Sequence, residues 1–255
     1  MLKEIIIAIQ SYAEAHRFVV KHRLWKWILI TGIVYALLFF ASLYFFWITS
    51  KGVIEYALSA TGLTSWLLQI KESFWGLLIV IIRIGVQLIL FFFYFSLFKY
   101  IFLIVGSPLF AYLSEKTAAI MEGREYPFSF SQLIKDIVRG VKIALRNCLW
   151  QTVYSLSILI LSFIPVVGLA TIGIAFLIEC YYLGFSMLDY SCERNKLSTS
   201  QSIEFIGKHK GLAIGNGMVF YFMHLIIIVG WILAPTYAVI AATLSLYKAQ
   251  HHQLP

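Results

Sequence analysis

The charged and small residues of this chain fall where they could gather an anion, and almost nowhere in a pattern that drives acid–base chemistry. Arg23 and Lys26 close a basic, aromatic turn, Lys21-His22-Arg23-Leu24-Trp25-Lys26-Trp27, directly before a long apolar run. Gly106-Ser107-Pro108 interrupts a second apolar run; Ser107 as N-cap of a new helix there would leave backbone N–H donors facing an anion. Arg83 lies inside that same run, where a guanidinium is costly unless paired or hydrated. Glu179 is the evident partner for a buried cation, and an Arg83–Glu179 pair is one expectation.

Each of these has a plainer reading. The basic turn also suits an interfacial anchor, Gly-Ser-Pro also suits a helix stop, and Arg83 also suits a boundary pair with Glu72. Lys135, Arg139, Lys142 and Arg146, at spacings of 4, 3 and 4, stack on one helix face. That face reads as solvated or headgroup-binding, with anion funnelling as the alternative. His224 reads as hydrogen-bonded within a bundle, or as a proton relay. Asp189 and Glu193, beside Arg194 and Lys196, read as a structural charged loop.

Enzyme templates are missing: the sequence has no HExxH, GxSxG, P-loop or paired-carboxylate cluster. Only 12 acidic residues are present, which leaves little acid–base machinery, so an enzyme is not expected, nor a cofactor. Cys148, Cys180 and Cys192 form no CxxC pair and read as packed thiols; His251-His252 lacks further metal ligands.

The elements that position these residues follow from composition. The chain is 61% hydrophobic and 13% charged, against about 25% charged in soluble domains, so it reads as an all-α integral membrane protein. No apolar run adjoins the first Met, so no cleaved signal peptide is expected. Residues 1–20 read as an amphipathic surface helix, with Ile5, Ile6, Ile9, Tyr12 and Ala13 on one face. Spans are expected at 27–48, ended by Ser50-Lys51-Gly52, and at 74–105, with residues 53–70 along the far surface. The second span is roughly 48 Å of helix, longer than the hydrocarbon core, and breaks at Gly106-Ser107-Pro108 before a helix that Gly123 terminates.

Two helical hairpins, 149–188 bent at Pro165 and 212–247 bent at Pro235, complete a single membrane domain over residues 1–255. The first half of one is about 22 Å and the second half of the other about 18 Å, too short to cross. Half-penetration from one side is therefore expected. Lys and Arg number five before the first span, two in 51–72, seven in 99–147, four in 190–211 and one at the C-terminus. With two crossings and two returning hairpins, seventeen lie on one side and two on the other, which places both termini in the cytoplasm.

The order of these features resembles the CysZ family of bacterial sulfate permeases, whose domain is shared with the etoposide-induced membrane protein. The matching stretches are the basic turn, Gly106-Ser107-Pro108-Leu109-Phe110 through Lys116, Phe163-Ile164-Pro165-Val166-Val167-Gly168, Leu188-Asp189-Tyr190 and Ala234-Pro235-Thr236-Tyr237 through Thr243. The resemblance implies two long transmembrane helices with half-penetrating hairpins, assembled as a homo-oligomer in the bacterial inner membrane. It also implies uptake of sulfate or a related oxyanion for cysteine biosynthesis. The substrate-binding residues would be Arg23, Lys26, Gly106, Ser107 and Arg83, with the bilayer and its anionic headgroups as the other partners and no nucleic acid. A non-transporting membrane-organising protein of the same family is the alternative. Where the permeases carry a Gly-hydrophobic-Arg-Arg turn, this chain has Arg23-Leu24-Trp25-Lys26. An ammonium there is a point charge, whereas a guanidinium offers a tetrahedral oxyanion a fixed fork.

Overall fold

Apolar runs of this length must satisfy their backbone groups within the segment, and the helix does so residue by residue. The structure, a computed structural model, describes residues 1–60, 74–123, 130–164, 167–226 and 228–251. Among them it shows eight helices and no strand: α1 (Leu2–Lys21), α2 (Trp25–Ala60), α3 (Phe74–Glu122), α4 (Phe130–Ser162), α5 (Val167–Arg194), α6 (Thr199–Lys208), α7 (Lys210–His224) and α8 (Val229–His251). Four stretches are long and apolar enough to cross a membrane: Trp25–Val53, Ile84–Glu122, Val167–Glu193 and Val229–Ala249. This is an all-α integral membrane protein.

Two compact units divide the chain, residues 37–98 and the remainder. The smaller is held by rings: Phe46 lies 5.4 Å from Phe91 edge-on, and Phe91 4.6 Å from Phe95. In the larger unit, α5 and α7 meet through small residues. A Cβ added at Gly184 would stand 1.9 Å from the Ala213 carbonyl oxygen, and one at Gly217 2.0 Å from that of Cys180. Only hydrogen fits at either position, and that closeness is what lets helices without a hydrophobic drive between them gain dispersion contact. The hydroxyls of Ser114, Ser191 and Thr243 tie α3, α5 and α8 at 2.9–3.1 Å.

Several sequence expectations are revised. Pro108 does not break α3, which runs through Gly106-Ser107-Pro108 to Glu122. Proline has no N–H to give to the Ile104 carbonyl four residues back, and the Ser107 hydroxyl donates to that carbonyl instead, at 2.9 Å. Likewise α2 continues past Ser50-Lys51-Gly52 to Ala60; residues 61–73, with the rest of the expected surface segment, lie outside the described residues.

The second hairpin turns between the end of α7 at His224 and the start of α8 at Val229, and Pro235 is the seventh residue of α8. Ile228 takes φ +68, and Gly230 passes so close to Met223 that an added Cβ would be 1.8 Å from its carbonyl oxygen. A proline that early removes a single ladder bond, whereas the left-handed residue turns the chain. α8 therefore has 23 residues, about 35 Å, and its length no longer prevents crossing. α7, at 15 residues, reaches only about 22 Å.

α1 also has a packed face beside the isoleucine stripe expected at the interface. Its packed side is Ala8, Ser11, Tyr12, Ala15 and Val19, which sits against α7 and α8. The Tyr12 hydroxyl donates to the Asn216 carbonyl at 2.8 Å, and burial pushes that phenol above its ordinary pKa. Ile6 and Ile9 point outward. Small residues allow closer helix approach than isoleucines, so the isoleucine stripe is left for the membrane interface.

Candidate functional site

α1 ends at Lys21 because the next residues turn: His22 N–H reaches Phe18 O at 3.0 Å and Leu24 N–H reaches Val19 O at 3.1 Å. Buried Leu24, 2% exposed, anchors the turn from inside. Arg23 takes φ +53, the left-handed region where a helix normally closes on glycine. This chain therefore carries an arginine side chain at a residue whose backbone conformation favours glycine. Arg23, Trp25 and Lys26 are all exposed. Beside the turn a cleft of about 410 Å³ is lined by Arg17, Lys21 and His22 of the α1 end, with Ile120 and Met121 opposite. Arg17 and Lys21 are cations that sequence reading did not single out for a site.

Gly106 and Ser107 are buried. An added Cβ at Gly106 would stand 2.5 Å from the Phe110 ring, and one at Gly140 of α4 3.3 Å from the Ser107 side chain. Because α3 is continuous there, Ser107 does not cap a fresh helix as expected, and it lies where α3 passes Gly140 of α4. The structure does not bring Gly106 and Ser107 into contact with the exposed Arg23 and Lys26. Arg83 lies on α3, and its side chain is outside the described residues.

Among the described residues Glu179 pairs with Lys99, one turn beyond the aromatic run of α3. Its ammonium stands 2.5 Å from Glu179 Oε2, with side-chain exposures of 8% and 23%. Gln151 of α4 donates its amide to Glu179 Oε1, and Tyr221 of α7 donates its hydroxyl to Oε2 at 2.8 Å. Tyr100 in turn donates to Gln151 Oε1 at 2.5 Å. Four helices thus converge on one carboxylate inside apolar surroundings. The carboxylate is well supplied with donors, whereas the Lys99 ammonium, with three N–H groups, touches among the described residues the acceptors of Glu179 alone. Donor capacity is left over for a passing acceptor.

The basic stripe of α4 is divided by the fold. Lys135 and Lys142 are exposed, while Arg139 turns inward to Asp189 Oδ1 at 3.0 Å and to Glu193 at 3.9 Å. Ser202 of α6 donates to the same Asp189 oxygen, and Arg139 also donates to the Leu197 carbonyl. Asp189 is therefore structural, in α5 itself and not in a loop. His224 accepts or donates at Nε2 with the Tyr35 hydroxyl at 2.8 Å, between stacked Phe220 and Trp231. Among the described residues, no group of three His, Cys, Asp or Glu could hold a metal.

A multi-pass helical membrane protein with an ion pair in its apolar interior is the class that this architecture defines. The sequence model of the family described as "Sulfate transporter CysZ/Etoposide-induced protein 2.4" matches residues 11–235, and the chain belongs to that family. It is 27% identical over 185 residues to the "Sulfate transporter CysZ" of Pseudomonas aeruginosa strain PAO1, covering 72% of each chain. To that of Pseudomonas fluorescens strain Pf0-1 it is 26% identical, covering 72% of this chain and 70% of the relative. To that of Pseudomonas syringae pv. tomato strain DC3000 it is 27% identical, covering 71% and 69%.

Proposed function

We propose that this protein moves sulfate or a related oxyanion across the bacterial inner membrane. The observation that carries the reading is the Lys99–Glu179 pair, buried among apolar helices with ammonium donors to spare. A lone buried ammonium would be costly; the Glu179 carboxylate offsets part of that cost, and an arriving anion competes with the carboxylate for the ammonium. The names of the relatives support the substrate class. Arg23, Lys26, Arg17 and Lys21 raise the local anion concentration at one mouth, and Arg83 adds a further cation within α3. With no nucleotide-binding motif in the sequence, flux follows a gradient or draws its energy from elsewhere. Homo-oligomer assembly would supply the walls that a conducting path needs.

Arg23→Gly is an informative variant because it relieves the left-handed backbone while removing the charge. Combined with Lys26→Gln it is expected to lower radiolabelled sulfate uptake into liposomes roughly tenfold at low ionic strength, less in high salt. Unchanged uptake at low salt removes both residues from the mechanism. No sulfate flux by the unaltered protein, with competing oxyanions also untransported, favours the membrane-organising alternative.

The imbalance of Lys and Arg supports cytoplasmic termini, and the 15-residue length of α7, about 22 Å, supports a hairpin tip held inside the bilayer. In cells carrying Leu225→Cys with Cys148 replaced by Ala, a membrane-impermeant maleimide added from the periplasm should leave the tip of α7–α8 unlabelled. Labelling there as complete as at a periplasmic loop control would mean that the hairpin crosses.

A further inference from the structure

A second cleft, of about 460 Å³, lies away from the ion pair and is bounded by α4, α5 and α7. Its walls change character in one direction. Arg146 of α4 and Lys210, the first residue of α7, line it together with Trp150 and Tyr154, one and two turns further along α4, and with Leu177 and Ile174 of α5; the Tyr154 ring lies 6.4 Å from that of Tyr182. On both α4 and α7 these cations are the last before the apolar stretch begins, at Leu149 and Leu212. The two charges therefore mark the depth at which polar surface gives way to hydrocarbon.

Neither cation is neutralised. Among the described residues no carboxylate lies within ion-pairing distance of Arg146 or Lys210. Arg146 gives one bond to Asn147 Oδ1 at 3.0 Å and rests 5.6 Å from the Phe185 ring, which fixes its plane and leaves several N–H donors open. Below it, Trp150, Tyr154, Ile174 and Leu177 are each between 44% and 49% exposed. A free inorganic anion would satisfy the cations and leave those apolar walls bare. An uncharged lipid would cover the walls and leave two cations unmatched.

We propose that this cleft is a binding site for one anionic phospholipid. The phosphodiester sits between Arg146 and Lys210, and an acyl chain follows the Trp150–Tyr154 side of α4 against Leu177 and Ile174. Charge complementarity and the passage from two cations to mixed aromatic and aliphatic walls select this occupant. The site is independent of the transport reading and stands or falls without it.

Native mass spectrometry of the purified protein, titrated with phosphatidylglycerol, phosphatidylcholine or inorganic phosphate, tests it. Phosphatidylglycerol is expected to bind at least about tenfold more tightly than phosphatidylcholine, and Arg146→Gln with Lys210→Gln to abolish that preference. Lys135→Gln with Lys142→Gln, which removes as much charge from exposed positions of the same helix, should preserve it. Tyr154→Ala should weaken both lipids while leaving their ratio. Inorganic phosphate blocking phosphatidylglycerol at equal concentration would mean a simple anion site, and equal losses in the two Gln pairs would mean diffuse surface attraction; either overturns the proposal. Each variant is first matched to the parent in melting midpoint, and if the Arg146/Lys210 pair misfolds, Arg146→Lys with Lys210→Arg, which keeps the charge, should retain the preference.

Discussion

Lys99→Met is expected to destabilise the protein by about 3–5 kcal/mol and to abolish oxyanion flux. Removing the ammonium takes from Glu179, with 23% side-chain exposure, the counter-charge that Lys99 gives it, while the Gln151 and Tyr221 donors remain. Breaking a buried pair costs that much because the surviving ion stays out of water with nothing to offset it. Glu179→Met strands Lys99, which is more deeply buried at 8%, and should cost at least as much.

The double variant separates the two roles. With both residues replaced by Met the cavity stays filled and no charge is stranded, so stability should return to within about 1–2 kcal/mol of the parent or exceed it. Flux should stay lost, because the donors are gone. Melting midpoints in detergent and sulfate uptake by liposomes measure the two outcomes. If Lys99→Met melts with the parent and transports at the parent rate, the pair has neither role.

The second large effect concerns the far end of α5. Asp189, 2% exposed, receives Arg139 from α4 and Ser202 from α6 and so pins three helices at one carboxylate. Asp189→Ala leaves the Arg139 guanidinium with only Glu193 at 3.9 Å and the Leu197 carbonyl. A loss of about 3–5 kcal/mol follows on the same physical grounds. Arg139→Ala leaves the more deeply buried carboxylate unpaired and should lose as much.

The double deletion should cost less than the two single losses added, by about 0.5–3 kcal/mol, the coupling expected of directly bonded groups. A local readout accompanies the global one. Lys196 is exposed in the connection to α6 and has φ +59, so loosening this corner should speed tryptic cleavage after it. Unchanged melting and unchanged cleavage in Asp189→Ala would show that packing alone holds α6. The capping box at the start of α6, Ser198 with Gln201, would then be the stronger tether.

Residue type and spacing alone determined much of this protein. The apolar composition required helices, because no other spanning segment satisfies its own backbone. The ordered anchors pointed to the family, and the rarity of acids made Glu179 conspicuous as an acceptor waiting for a cation. Tertiary structure chose which cation it receives. Lys99 and Glu179 are 80 positions apart, and only the packing of α3 beside α5 brings the two together.

The same holds for the two prolines. A proline signals a missing N–H, but whether the helix stops depends on what serves the orphaned carbonyl and on what the neighbouring helices cover. Ser107 serves it at Pro108 and α3 continues, whereas the bend before Pro235 is placed by Ile228 and by the close passage of Gly230. Which face of α1 is buried was equally a matter for the neighbours. Two apolar stripes compete along that helix, and the one with smaller side chains wins because α7 presents glycine to it: a Cβ added at Gly215 would stand 2.8 Å from Ala8.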